Sequence, residues 1–216
     1  MPQRELTTTA YLTLGLLATS DWSAYQLAEQ LGRGVDQLWP RADRQRYNVV
    51  KKLLATGLVT AREEHSGRRG RTVYAITDAG REALAAWLAA EPEPVALEFE
   101  GMIRVLVSDQ GSIDDLRRTL ETMRAQAETA RAQFARYAVH ISETGGTFPE
   151  RRHLFALSNT FMIGHYNHII EWTTWALEQT ESWPDPASPA ETHQTQVRDM
   201  LAEGRKAWGA SLQLGA

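Results

Sequence analysis

Nine residues, Ile113, Leu116, Leu120, Met123, Ala127, Ala130, Phe134, Tyr137 and Ile141, follow one another at intervals of 3, 4, 3, 4, 3, 4, 3 and 4. Only a helix lines such residues up in one row, and a sustained 3-4 alternation is the seam of a helix packed lengthwise on another. Ser112-Ile113-Asp114-Asp115 offers a cap for its first turn. At about 1.5 Å per residue the run is roughly 43 Å long, whereas a domain of about 100 residues has a radius of gyration near 13 Å. A rod that outreaches a small core needs a partner along its seam. The partner is either a second copy of the chain, with Leu116, Leu120, Met123, Ala127 and Phe134 in a homodimer interface, or the next long helix of the same chain.

Such a helix is available. Gly145-Gly146 and Pro149 make a turn, and residues 150–181 read as a second long helix. Trp183-Pro184-Asp185-Pro186 starts a non-helical link, and residues 190–212 read as a final helix. A shorter helix is expected over residues 95–107, ended by Asp109-Gln110-Gly111. Glu91-Pro92-Glu93-Pro94 interrupts both helix and strand and marks a boundary. Residues 92–216 are thus expected to form an all-α dimerisation domain with long antiparallel helices.

Residues 1–91 have a different order. A helix is expected over residues 7–19, and Ser23-Ala24-Tyr25-Gln26 is a capping-box pattern opening a short second helix over 24–31. A third helix begins near Pro40 and runs over 42–56 to Gly57. Leu58-Val59-Thr60-Ala61 and Thr72-Val73-Tyr74-Ala75-Ile76 are β-prone, and residues 62–71 between them read as a polar hairpin loop. Thr77 then caps a helix over 78–90. Three helices, a two-stranded wing and a closing helix make a winged helix-turn-helix, so the chain as a whole is mainly α.

Charge is distributed unevenly. The net charge is −4, yet residues 33–71 carry 10 Lys and Arg against 4 Asp and Glu. A basic segment in an acidic chain points to a local anionic partner. With no cysteine, disulfides, thiolate metal sites and thiol catalysis are excluded. No apolar run approaches the roughly 18 residues of a membrane span, and the first residues lead into no signal-peptide core. A cytoplasmic protein without membrane association is expected.

The third helix carries the anionic-partner surface. With about 100° per residue and Tyr47 at zero, its apolar face centres near 310° on Val50, Leu53 and Leu54. Arg41, Arg44, Gln45, Asn48 and Lys52 fall opposite, between about 60° and 160°. Arg suits guanine and Asn or Gln suits adenine in the major groove, while Lys and Arg neutralise phosphate. Lys51 on the same helix, with Arg68, Arg69 and Arg71 at the wing tip, completes the expected contact set for double-stranded DNA.

Leu38-Trp39-Pro40, Tyr47-Asn48-Val49-Val50-Lys51-Lys52-Leu53, Thr56-Gly57-Leu58-Val59 and Arg71-Thr72-Val73-Tyr74-Ala75-Ile76-Thr77-Asp78-Ala79-Gly80-Arg81-Glu82-Ala83-Leu84 together resemble the PadR family of transcriptional regulators. Glu98-Phe99-Glu100 and Asp109-Gln110-Gly111 resemble the start of the helical domain in its larger subgroup. One departure is Ala24 before Tyr25, where the family often has glycine. The resemblance implies a dimeric regulator, usually a repressor of the adjacent gene, relieved by a small effector.

Within the second long helix, Phe161, His165, His168, Trp172 and Trp175 share a stripe at spacings of 4, 3, 4 and 3, with Asn159, Met162 and Tyr166 nearby. Packing against the first long helix is the leading explanation of this stripe. A pocket for a small aromatic or hydrophobic effector is the second, and a divalent metal on His165, His168 and Glu171 a distant third. No nucleophile motif, phosphate loop or paired-acid pattern is present, so no catalytic residue, cofactor or resident metal is expected and the chain is not read as an enzyme. The favoured function is a sequence-specific regulator binding a palindromic operator as a homodimer. A helical interaction scaffold and a metal-responsive regulator are the alternatives.

Overall fold

The computed structural model describes residues 6–32, 38–39, 48–66, 69–202 and 204. The chain divides into two compact units, Met1–Val95 and Ala96–Ala216.

In the first unit α1 (Thr8–Leu17) starts at Thr7, whose side chain accepts the Ala10 amide. A two-residue strand β1 (Trp22–Ser23) leads directly into α2 (Ala24–Gly32). The expected capping box is formed there: the Ser23 hydroxyl accepts the Gln26 amide at 3.3 Å, and Gln26 Oε1 accepts the Ser23 amide at 3.0 Å. Of the third helix the described part is α3 (Val49–Ala55).

Strands β2 (Val59–Ser66) and β3 (Arg69–Ile76) pair antiparallel from Val59↔Ile76 to Ser66↔Arg69. β1 joins the other side of β3 through Trp22↔Tyr74, so the sheet order is β1-β3-β2. Two sequence expectations are corrected here. The wing has a third strand, too short to show a periodic signal. Residues 62–66 and 69–71, read as loop, are ladder, because the charged residues of this stretch pair with one another across an exposed face.

α4 (Asp78–Ala89) closes the unit, with Gly80 N–H donating to the Thr77 hydroxyl at 3.1 Å. A Cβ on Gly80 would stand 2.2 Å from the Leu58 carbonyl oxygen. The glycine in Thr77-Asp78-Ala79-Gly80 is therefore what lets α4 seat against the end of α3. Tyr11 stacks on Trp87 at 4.8 Å between ring centroids, tying α1 to α4. Leu14, Leu17, Leu27, Val50, Leu53, Val59 and Tyr74 form the core. A frame packed this way holds the exposed side of α3 in place.

In the second unit α5 (Glu100–Leu106) is shorter than the expected 95–107. Val95 is fully exposed and Leu97 70% exposed. With no packed face to offset its entropy cost, that stretch gains nothing by coiling. α6 (Ile113–Thr144) opens with a capping box between Ser112 and Asp115 and ends at Gly145 in the left-handed region (φ 81°). α7 (Arg152–Thr180) runs back along it. Arg117 donates to the carbonyls of Thr180 and Glu181, Arg131 donates to Asn167, and Tyr137 meets Phe155 edge-on at 4.7 Å. Pairs from both ends of each helix make the hairpin antiparallel. Beyond it lie the short α8 (Pro189–Thr192) and a helical stretch at 194–202.

The α6 seam is filled from within the chain. Leu116, Leu120, Met123, Ala127 and Phe134 are all buried. Leu116 and Leu120 pack with Ala176, Trp172, Leu177 and Trp183, Gly101 of α5 lies against Met123, and Phe134 meets Tyr166. Of the two expectations for this seam, the dimer interface is the one corrected, because α7 already occupies the groove.

α7 presents a face to α6 that hydropathy did not single out. Its buried residues are Asn159, Met162, Thr173, Ala176 and Thr180. The aromatic stripe lies roughly 100° around the helix from them. Trp172 packs on the Leu116–Leu120 cluster, but Phe161 is 64% and Trp175 42% exposed, so packing on α6 explains only part of the stripe. Small side chains allow the two helices to approach closely, and the threonines remove their own polarity. Thr173 Oγ1 donates to the Ile169 carbonyl at 2.7 Å and Thr180 Oγ1 to that of Leu177 at 2.9 Å.

Candidate nucleic-acid interface and effector cleft

α3 buries Val49, Val50 and Leu53 and exposes Asn48, Lys51, Lys52 and Leu54. The apolar face is therefore rotated from the expected one. Val49 is inside and Leu54 is 40% exposed, because the Leu14–Leu17–Leu27 core takes the α3 side bearing Val49. The rotation moves the solvent side toward Lys51, so Asn48, Lys51 and Lys52 stand together on it. Arg41, Arg44, Gln45 and Arg68, and the side chain of Arg69, lie outside the described residues.

The wing differs from a uniformly basic surface. Arg71 is on β3, not at the tip. Its guanidinium donates to Glu64 at 2.9 Å and 3.2 Å. Arg62, which sequence reasoning did not select, donates to the other Glu64 oxygen at 2.7 Å and to Asp21. These hydrogen bonds from Arg71 and Arg62 hold the Glu64 carboxyl below its usual range. Glu64 thus neutralises two arginines that would otherwise add to phosphate attraction. The alternation of Arg62 and Glu64 on one face of a strand was the available signal, hidden by reading the stretch as loop.

Glu64→Ala is expected to strengthen binding to random-sequence duplex about two- to fivefold at low salt and to steepen the salt slope by about 1 per freed arginine. Fluorescence anisotropy across a salt series measures both. Unchanged affinity and slope would show that the strands of the wing stay clear of the backbone.

The eight residues expected around an effector do not converge. Asn159 and Met162 are buried against α6, and the Asn159 side-chain oxygen has no hydrogen-bond partner there. Phe161 stacks on His165 at 6.4 Å, and His165 meets Tyr166 edge-on at 5.3 Å. His168, Trp172 and Trp175 alone line a cleft, together with residues 191–196, Asp199 and Met200 from the C-terminal segment and Gln179. The cleft has a volume of about 1310 Å³.

Three residues hold its walls together. Trp183 Nε1 donates to Gln196 Oε1 at 2.8 Å, and Gln196 Nε2 donates to the Gln179 carbonyl at 2.9 Å and to its side-chain oxygen at 3.1 Å. The far wall comes from residues about 20 positions away behind a proline-rich link, so no local pattern announced it. The metal reading on His165, His168 and Glu171 is corrected. Among the described residues no three His, Asp or Glu side chains could hold an ion together. Successive steps of three turn about 60° around a helix, which fans these side chains apart.

A helix with a bare polar side, backed by a three-helix core and flanked by a β-wing, defines the class: a winged-helix domain, joined here to a long helical hairpin. Residues 13–86 match the Transcriptional regulator PadR-like family. The chain carries a PadR-like domain over these residues, as the resemblance of its motifs implied.

A curated relative, the Negative transcriptional regulator PadR of Bacillus subtilis (strain 168), is 24% identical over 168 residues, covering 75% of this chain and 91% of its own. The crystal structure of Bacillus subtilis PadR in complex with operator DNA is similar with a TM-score of 0.69 at 21% identity, covering 81% of this chain and all of that one. The same protein in complex with p-coumaric acid gives a TM-score of 0.64 at 19% identity, covering 83% and 99%. At these identities the structures establish the shared fold.

Proposed function

We propose that this chain is a sequence-specific repressor of an adjacent gene, acting in the cytoplasm without catalysis. It binds a palindromic operator as a homodimer and is released by a small effector. The observation that carries the reading is the exposed side of α3, where Asn48, Lys51 and Lys52 stand clear of the core. On sequence grounds we assign base-edge contacts to Arg41, Arg44 and Gln45 as well, and phosphate contacts to Arg68 and Arg69. The relative named as a negative regulator and the similar fold bound to operator DNA support the same direction.

One winged helix covers one half-site, so a palindrome calls for two copies. The exposed side of α7, with Leu154, Leu157 and Phe161 at 55%, 72% and 64% exposure, is the face we assign to the partner copy. An effector seated in the helical unit must favour the arrangement that does not fit the operator, since equal affinity for both shifts nothing.

Salt titration of an operator selected from a random duplex library tests the reading. With about four phosphate contacts per protomer, log affinity falls with a slope near −7, a loss of about ten-thousand-fold between roughly 50 and 200 mM salt. Asn48→Ala relaxes base preference by about 1–3 kcal/mol, while Lys52→Ala weakens all sequences alike and flattens the slope. A flat salt response, or identical behaviour of the two variants, would overturn the assignment of α3.

A further inference from the structure

We propose that the cleft between the C-terminal end of α7 and residues 191–200 binds a planar organic cation, its ring on Trp172 and Trp175 and its charge facing Glu191 and Asp199. The proposal rests on the effector reading above and specifies the ligand class of that site.

Three features of the cleft lead there. Among the described residues its lining contains two carboxylates and no lysine or arginine. Among the described residues neither the Glu191 nor the Asp199 side chain takes part in an ion pair or hydrogen bond, so their charge is unspent. Two tryptophans line the cleft beside them, and the Trp175 ring remains 42% exposed. Indole is the strongest aromatic partner for a cation, and a carboxylate near the same ligand adds direct attraction.

The cleft is also built before any ligand arrives. The Trp183–Gln196–Gln179 hydrogen bonds fix the C-terminal segment to the end of α7, which reduces the ordering cost of binding. His193 is oriented by a 2.8 Å hydrogen bond between its Nδ1 and the Thr192 hydroxyl. An anion fits poorly. The p-coumaric acid bound by the similar Bacillus subtilis protein is a carboxylic acid, and a carboxylate placed here would face Glu191 and Asp199 with no lysine or arginine among the described lining residues to receive it.

One ring system in three charge states provides the test: N-methylquinolinium, quinoline and quinoline-6-carboxylate, titrated calorimetrically into the full chain, with release of the selected operator followed in parallel. The cation is expected to bind about tenfold more tightly than the neutral ring, and the anion more weakly than either. Glu191→Gln with Asp199→Asn is expected to bring the cation to within about twofold of the neutral ring, while Trp175→Ala weakens both. Both carboxylates are exposed, so the double variant keeps the fold, which circular dichroism checks. Preference for the anion, an unchanged cation preference in the double variant, or no binding of any of the three would overturn the ligand class. An anion that binds and releases DNA would overturn the ligand class but leave the effector reading standing. A cation that binds as expected without moving DNA affinity would do the reverse.

Discussion

Leu120→Asp is expected to unfold the helical unit. Leu120 is 1% exposed and packs with Leu116 and Ala176 in a cluster completed by Trp172, Leu177 and Trp183. A carboxylate there has no cation among these neighbours and no route to water. Leaving a charge buried and unpaired costs about 3–5 kcal/mol, a large share of the roughly 5–15 kcal/mol that holds a domain folded. At several degrees per kcal/mol, the melting temperature should fall by about 15 °C or more, with loss of helical circular dichroism. Thr122→Asp, exposed on the same helix, should move stability by less than about 0.5 kcal/mol. A Leu120→Asp protein with full helicity and unchanged melting, but monomeric, would mean that the seam faces a second chain after all.

The heptad row of α6 was legible because it is strictly apolar and long. What covers it was not, because α7 answers with Asn159, Thr173 and Thr180, and the polarity of the two threonines is cancelled only once the helix has formed. Reading by hydropathy therefore chose the aromatic stripe, of which Trp172 packs on the α6 cluster while Phe161 and Trp175 stay exposed. Caps were legible where one short-range hydrogen bond decides them, at Ser23, Thr77 and Ser112, whereas the cap at Thr7 was read as the first residue of its helix. The glycine of Thr77-Asp78-Ala79-Gly80 was visible as a motif, but its reason, the Leu58 carbonyl 2.2 Å from where a Cβ would sit, is tertiary.

Charge was legible as a sum but not as a pattern of pairs. Counting residues 33–71 treated Arg62 and Arg71 as available, whereas Glu64 and Asp21 hold them. Exposed pairs of this kind contribute little to stability. Their consequence is for binding: Arg62 and Arg71 are engaged, whereas Lys51 and Lys52 on α3 have no carboxylate on the described part of their helix. The aromatic stripe then divides by surroundings. Its C-terminal end, Trp172 and Trp175, is met by residues 191–200 and becomes a cleft wall. Its N-terminal end, Phe161, with Leu157 one turn before it, remains largely exposed, at 64% and 72%.

That second end gives the other large effect. Leu157→Asp combined with Phe161→Asp places two charges on side chains that are 72% and 64% exposed in one chain, so each protomer should keep its helicity and melting temperature. In the proposed dimer the same charges are buried against their symmetry mates, where unpaired like charges cost several kcal/mol. Sedimentation is expected to show monomers at concentrations where the unaltered chain is dimeric. Operator affinity should then fall by about 10²–10⁴, because the second half-site no longer benefits from the high effective concentration that linkage to the first provides. Binding to a single half-site should be nearly unaffected, since α3 and the wing are untouched. The two variants of the helical hairpin therefore separate two roles that one apolar count had merged: aspartate at Leu120 removes the fold, and aspartate at Leu157 and Phe161 removes the partner. A double variant that remains dimeric and retains full operator affinity would move the interface off this side of α7.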